Sequence, residues 1–441
     1  MLLTDLYELT MAAAFYENNF NPTATFELFV RKLPKNRGYL VAAGLEQALQ
    51  WVESVCCGAI DVEFLRKHPA FEHVSDEFFS FLRELRFTGD VWAVPEGTVI
   101  FGQEPLLRVT APLIEAQILE TYLLATITYQ TTVATKASRV VQAAEGKDVI
   151  EFGTRRAHGP EAGVLAARAS YIAGCIGTSN TEAGYRFGIP TFGTIAHSYV
   201  MALEDEEKAF KQYTSLFPQA SILLVDTYDT LKAIDKIIEA GLRPSGVRID
   251  SGDLALLSKQ VRAKLDAAGL KQTKILASGD LDEFKIFELN QRGALIDGYG
   301  VGTAMVVSND APALGGIYKL VETELDGTKN YHAKFSDQKM TYPGAKQVWR
   351  FRDEAGKFTR DVIACAEERV EDGEPLLRQV MNAGKRTSVA AEALSDIRDR
   401  ARTQLKQVPE DVRRFEAPAE YPVEFSRTLR NLLEQVRQRL A

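Results

Sequence analysis

Cysteine and histidine are scarce in this chain: 441 residues hold four cysteines and five histidines. Cys56, Cys57, Cys175 and Cys365 lack the spacing of a zinc site, and adjacent Cys56 and Cys57 would bridge only with strain, so a reduced protein is expected. Positive charge is not in excess either. Lys and Arg total 52 against 60 Asp and Glu, a formal net charge of −8, which excludes bulk attraction to nucleic acid or to an anionic membrane. An anionic ligand must therefore be held by local arginines, lysines and backbone N–H groups. No run approaches the roughly 18 uncharged apolar residues of a membrane helix, and Met1-Leu-Leu-Thr-Asp lacks the basic start of an export signal. The expectation is a soluble cytoplasmic protein with no nucleic-acid and no membrane partner. No G-x-G-x-x-G follows the first strand of the α/β region, which argues against a dinucleotide fold.

What is present is a chain 46% hydrophobic, enough for a substantial core and, by length, two or three domains. Residues 4–19 read as a helix capped by Thr4, with Leu6, Leu9, Ala13 and Tyr16 on one face and Asp5 and Tyr7 in the first turn. An alternating strand, Ala24 to Val30, runs into the basic turn Arg31-Lys-Leu-Pro-Lys-Asn-Arg-Gly38. Helices are expected over 39–55, 61–67 and 75–85, short strands over 89–112, and one long helix over 113–144. From about 148 short apolar runs alternate with helical patterns: Val149–Phe152, Pro190–Phe192, Ile222–Val225, Gly246–Ile249, Lys274–Ala277 and Leu295–Tyr299, with a short cryptic unit at 171–180. Repeated β-then-α units imply a parallel sheet, and the region's length suits a barrel. After about 320 that rhythm stops. Strand-like Gly316–Val321, a basic loop at 339–350, strands near 360–370 and helices near 387–405 and 422–440 follow.

A parallel barrel builds its site from the loops after its strands, and these loops carry consistent chemistry. Phe152-Gly-Thr-Arg155-Arg156 sets an aromatic face beside guanidinium groups, suited to a flat anionic ring. Thr191-Phe-Gly-Thr-Ile-Ala-His-Ser198 presents Thr194, His197 and Ser198. An imidazole there can act as general base, nucleophile, phosphate acceptor or metal ligand, or simply hydrogen-bond a loop carbonyl. Asp226 and Asp229 come next, then Arg248-Ile-Asp250-Ser-Gly-Asp253, Ser278-Gly279-Asp280, and Gly300-Val-Gly302-Thr303, where glycine-rich backbone suits phosphate. Each has a plain structural alternative: Asp250 or Ser251 as the cap of the helix from 253, Asp226 as another cap, Gly302-Thr303 as a turn, and Phe152 as barrel core. Taken together, they describe a barrel enzyme for a phosphorylated substrate and a flat ring, with carboxylates for a divalent cation.

Six segments, in order along residues 4 to 350, carry a resemblance: Thr4-Asp-Leu-Tyr-Glu-Leu-Thr-Met11, Glu151-Phe-Gly-Thr-Arg-Arg156, Gly193-Thr-Ile-Ala-His-Ser198, Val247-Arg-Ile-Asp-Ser-Gly-Asp253, Gly300-Val-Gly-Thr303 and Thr341-Tyr-Pro-Gly-Ala-Lys-Gln-Val348. Together they resemble nicotinate phosphoribosyltransferase. The resemblance implies an α/β protein with an irregular barrel (126–320) and an α/β domain assembled from 1–125 and 321–441, working as a homodimer with shared active sites. It implies joining nicotinate to 5-phosphoribosyl 1-pyrophosphate, with ATP hydrolysis, Mg²⁺ and a transiently phosphorylated His197. It further implies that Phe152 and, across the dimer, Tyr7 sandwich the pyridine ring, while Arg155, Thr194 and Arg248 take the carboxylate or orient the ring. Asp250, helped by Asp280, would hold ribose hydroxyls or Mg²⁺, and Ser278, Gly279, Gly302 and Thr303 the 5′-phosphate. Arg31, Lys339 and Lys346 would meet pyrophosphate or ATP phosphates from the neighbouring subunit, a solvated basic loop being the alternative. In Gly177-Thr-Ser-Asn-Thr181, the related nicotinamide enzyme carries an aspartate where this chain has Ser179 or Asn180; its absence favours the acid as substrate.

Cleaving the C1–pyrophosphate bond develops positive charge on the ribose and releases a polyanion, so carboxylates belong near the sugar and cations near the leaving group. A pyridine nitrogen is already nucleophilic, which favours a phospho-acceptor role for His197 over proton abstraction. The alternatives are a nicotinamide- or quinolinate-using enzyme and a non-catalytic barrel that binds a phosphorylated ligand. A Schiff-base aldolase would want a lysine at a strand end, and none of these loops offers one.

Overall fold

In the computed structural model, which describes residues 1–336 and 339–440, the chain divides into two compact units, 1–132 with 313–441, and 133–312. The first boundary, 132/133, falls inside the helix Glu120–Ala143, as does the expected 125/126, and the second lies at 312/313, eight residues before the expected 320/321.

The first unit is built on a seven-stranded sheet in which Thr23–Val30 lies between Gly316–Leu325 and Pro105–Pro112, antiparallel to both. The alternation read over 24–30 does not sort residues into core and solvent. Thr25 and Glu27 are as buried as Phe26 and Leu28, so both faces of this central strand are covered. The first helix, Leu6–Glu17, has Asp5 at its N-cap without a side-chain cap bond, and the Thr4 hydroxyl bonds Glu8 instead. The helix expected from 39 starts only at Leu45, because Leu40–Val41 pairs with Val99–Ile100. Gly44 makes the turn at φ 98°, where a Cβ would lie 2.8 Å from the Thr126 carbonyl. The long helix over 113–144 is two helices, Leu113–Gln117 and Glu120–Ala143. A second, four-stranded sheet contains Lys346–Arg352 and Phe358–Cys365. In it Arg350 and Asp361 are fully buried and joined by bonds of 2.6 and 3.1 Å. Arg350 also donates to the Val99 carbonyl (2.7 Å), and the Tyr421 hydroxyl donates to Asp361 (3.1 Å).

The second unit is a curled, six-stranded parallel sheet in the order 177–178, 148–151, 298–301, 274–277, 246–249, 222–224, with helices between successive strands. Its outer face packs Leu223, Val247, Ile249 and Ile275 against Ile234, Ile237, Val261 and Leu265 of those helices. The strand expected at 190–192 is reduced to one bridge, Thr178 to Thr191. A few residues on, the Ile195 N–H reaches the Ile222 carbonyl at 3.4 Å. Segment 190–195 therefore bonds to both edges of the sheet and closes it into an irregular barrel. The last strand is Gly298–Val301 rather than 295–299. The apolar pair Leu295-Ile296 belongs to the approach, where the Asp297 carboxylate accepts the Ile275 N–H at 2.7 Å. At the opposite, N-terminal rim of the strands a cavity of about 400 Å³ is lined by Asp148, Ile150, Phe192, Ile222, Lys274 and Leu276.

Among the described residues no helix is long and apolar enough to cross a membrane. The buried Arg350–Asp361 pair yields a direct stability test: Asp361→Asn removes the bidentate counter-charge of a buried guanidinium, leaving it Glu104 at 3.9 Å, and should cost about 3 kcal/mol. Denaturant unfolding of the variant checks this, and a change below about 1 kcal/mol, the range of an exposed pair, would contradict it.

Candidate functional site

Parallel strands direct their C-terminal ends to one mouth, and register decides which residues meet there. Leu224 pairs with Arg248, so two residues further along Asp226 comes beside Asp250. Ala277 pairs with Ile249 and with Tyr299, which brings Ser278 beside Asp250 on one flank and Gly300 on the other.

The Asp226 carboxylate joins this row to the closing segment. One oxygen lies 3.3 Å from His197 Nε2; the other accepts the Asp250 N–H (3.1 Å) and the Ser251 hydroxyl (2.6 Å). Asp226 is 4% exposed at its side chain and His197 42%, so a buried carboxylate backs an accessible ring. His197 opens the helix His197–Leu203, whose N-cap, Ala196, provides no side-chain bond. In the tautomer whose Nε2–H donates to Asp226, Nδ1 carries the lone pair, the arrangement of an oriented nucleophile. The sequence left Asp226 open between a strand-end site residue and a helix cap. The caps are in fact Asp229, which accepts from Leu231 and Lys232, and Asp253, which accepts from Ala255 and Leu256. Asp250 and Ser251 are thereby free of capping, and both enter the site.

Arg248 projects into the same mouth and donates to the Thr194 hydroxyl at 2.8 Å, with Asp250 at 3.9 Å. Burial draws its guanidinium below the ordinary value, Asp250 and Asp226 oppose that, and Arg155 adds repulsion. Arg155 itself is exposed. Asp250 accepts the Ser278 hydroxyl. The next residue, Gly279, has φ 98° and comes so close that a Cβ would lie 2.2 Å from the Asp250 carbonyl oxygen. Asp280 is exposed and left-handed at φ 48°, with its carbonyl held by Lys285 at 2.7 Å.

Phe152 is half-buried, and its ring lies against Gly300, where a Cβ would stand 2.4 Å from the ring. The loop that carries it is anchored by Glu151, a buried carboxylate that accepts the Gly153 N–H and the Thr178 hydroxyl and that burial holds above the usual carboxylate range. Gly302 packs against the Phe152 carbonyl and precedes the short helix Thr303–Val306. Asn180 departs from the substrate role expected for it. Its amide donates to Thr154 and its carbonyl caps Ala183, both at 2.9 Å, because it begins the helix Thr181–Phe187. Ser179 is exposed, and only its N–H is engaged, by the Glu151 carbonyl at 2.9 Å.

Tyr7, Arg31, Lys339 and Lys346 belong to the first unit. Tyr7 is 46% exposed, and burial together with Glu120 raises its phenol above the ordinary value. Arg31 lines a cavity of about 400 Å³ with Lys32, Arg37, Gln103 and Tyr421, and Lys339 is exposed. Lys346 is not available to a phosphate. It is buried, with Nζ 2.7 Å from both Glu27 and the Gly344 carbonyl, because the buried Glu27 requires a counter-charge. Among the described residues there is no group of three or more His, Cys, Asp or Glu that could hold a metal.

Comparison with known proteins matches three family models to this chain. The nicotinate phosphoribosyltransferase N-terminal domain matches residues 2–128, its C-terminal domain 371–433, and the quinolinate phosphoribosyltransferase C-terminal domain the barrel, 133–311. A nicotinate phosphoribosyltransferase of Mycobacterium tuberculosis is 48% identical over 96% of this chain and 91% of its own length. That of Bacillus subtilis is 39% identical over 96% and 92%. Among solved structures, human nicotinic acid phosphoribosyltransferase superposes with a TM-score of 0.85 over 99% of this chain and 100% of that one, at 29% identity.

The Phe152–Gly300 contact gives a test independent of any ligand. Gly300→Ala should destabilise the protein by about 1–3 kcal/mol through overpacking, and the loss should shrink to a few tenths on a Phe152→Ala background. Additive losses in this double-mutant cycle would mean that the ring does not rest on Gly300.

Proposed function

The chain belongs to the nicotinate phosphoribosyltransferase family and makes nicotinate mononucleotide for NAD biosynthesis; we propose that it does so at the barrel mouth, coupled to ATP through a phosphorylated His197. The observation that carries this reading is the buried Asp226 behind an accessible His197, beside Arg248 and Asp250.

Nicotinate lies with its ring on Phe152 and its carboxylate toward Arg155 and Arg248, the latter oriented by Thr194. Gly279, Gly302 and Thr303 hold the 5′-phosphate on backbone N–H groups, with Ser278 beside them. The pyridine nitrogen attacks C1 of the ribose as the bond to pyrophosphate breaks. No proton has to be removed from the nucleophile, and the Asp250 carboxylate lies near the developing positive charge. Asp250 and Asp280 would be the protein ligands of a Mg²⁺ that arrives with the phosphates, and the ion would supply counter-charge to the leaving pyrophosphate. At His197, Nδ1 forms a bond to the γ-phosphorus of ATP as the β,γ-bridging bond breaks and ADP leaves. The proton stays on Nε2, hydrogen-bonded to the ionised Asp226, which balances the charge on the ring.

The protein works in the cytoplasm as a homodimer with shared sites. Tyr7 of the partner subunit closes over the pyridine ring, and the partner's Arg31 and Lys339 approach the phosphates. The exposed Tyr7 and the cavity beside Arg31 support these assignments. Since the quinolinate model matches the barrel, the substrate assay includes quinolinate as well as nicotinamide.

Pyrophosphate release from phosphoribosyl pyrophosphate, with each pyridine substrate and with or without ATP, is the test. Nicotinate-dependent release, raised by ATP, is expected. His197→Ala should lose the ATP increment and keep a basal rate, and an increment that survives would overturn the phosphohistidine. Mixing Tyr7→Ala and His197→Ala subunits should restore part of the ATP-stimulated activity that each lacks alone, because one site in the mixed dimer then has both native groups; no recovery would count against shared sites.

A further inference from the structure

We propose that Lys136 is a positioning residue whose buried ammonium pins the far ends of both phosphate-binding loops and so sets the affinity for phosphoribosyl pyrophosphate without touching it. The inference rests on the assignment of the 5′-phosphate to Gly279, Gly302 and Thr303.

Lys136 lies on the helix Glu120–Ala143 and is 1% exposed at its side chain, with Nζ 2.6 Å from Glu283 and 2.8 Å from Asp310. These two carboxylates come from different strand-end loops. Glu283, fully buried, is the first residue of the helix Glu283–Gln291, just past Ser278-Gly279-Asp280. Asp310 lies just past the helix Thr303–Val306, which begins at Gly302-Thr303. Arg139, one turn along from Lys136, donates to the other Glu283 oxygen at 2.9 Å. Two cations thus face two anions in a cluster that joins the exits of the two loops.

Backbone strain in the loops gives the cluster something to hold. Asp280 at φ 48° and Ser308 at φ 43° are left-handed non-glycine residues, conformations that persist only where the surroundings impose them. Phosphate capture by backbone N–H groups needs those groups held in one arrangement before the ligand arrives. A buried ion cluster adds little net stability over an apolar packing of the same volume, but it accepts few alternative geometries. Lys136 contacts the exit of each loop with a single ammonium group.

The test is Lys136→Met, which keeps the volume of the side chain and removes its charge. Amide hydrogen exchange at 278–283 and 303–310 should quicken at least tenfold, with the strand cores unchanged. KM for phosphoribosyl pyrophosphate should rise about tenfold, with KM for nicotinate and the ATP increment altered less than twofold. Lys136→Arg should recover part of the lost affinity. Unchanged exchange in either loop would overturn the pinning itself. Quickened exchange with an unchanged KM would overturn the proposal by showing that the phosphate lies elsewhere, while a uniform fall in every kinetic parameter would mark a merely structural residue. Should Lys136→Met fail to fold, Asp310→Asn retains the Lys136–Glu283 pair; it should quicken exchange at 303–310 only and raise the same KM, and no change in either would overturn the proposal.

Discussion

The Asp226 carboxylate ties together groups that the chain delivers separately. One oxygen orients His197, on the segment that closes the barrel, and the other holds the Asp250 N–H and the Ser251 hydroxyl, on the loop after the neighbouring strand. A carboxylate at the surface would exchange these partners with water. Buried, it is held to them, because an unmet charge there is costly and each bond is strengthened by the low local dielectric. The position follows from strand register: parallel pairing of Leu224 with Arg248 brings Asp226 alongside Asp250, and a slip by one residue would turn one of the two away from the mouth.

Much of this arrangement was legible in the sequence, and the exceptions have physical causes. Short apolar runs marked the strands after 148, and reactive residues marked where they end, so the positions of Phe152, Arg248 and Asp250 at strand ends, and of His197 on the closing segment, were legible without three-dimensional information. Strand Gly298–Val301 was misplaced because two of its four residues are glycine, which gives no strand signal, while the apolar Leu295-Ile296 just before it does. Aspartates could not be sorted into caps and site residues, since Asp226, Asp229, Asp250 and Asp253 all stand between a strand and a helix. Only the observed bonds assign capping to Asp229 and Asp253. Lys346 read as a free cation in a basic stretch because its partner, Glu27, is remote in sequence. Asn180 failed for a local reason: a polar residue at a helix start serves the helix's own N–H groups first.

The first unit poses the opposite problem. Its central strand is covered on both faces, so Thr25 and Glu27 are buried beside Phe26 and Leu28, and alternation carries no information about which side is the core. Such a strand has to meet its charges inside. Glu27 with Lys346 is the result, and the four-stranded sheet pairs its own buried charges as Arg350 with Asp361. Each pair joins residues that only the completed fold brings together or, for Arg350 and Asp361, adjacent strands of one sheet.

Strand Gly298–Val301 also limits how this family of sites can change over time. On its inward face it offers Gly298 and Gly300, followed by Gly302 at its end, while Tyr299 and Val301 are wholly buried on the other side. The wall beside Phe152 is therefore main chain alone. Peptide groups are the same in every residue, so this strand offers no side chain to vary beside the ring, and any replacement at 300 displaces Phe152 before it adds a contact. A larger residue at 300 therefore has to arrive with a smaller one at 152, which makes the two positions change together or not at all.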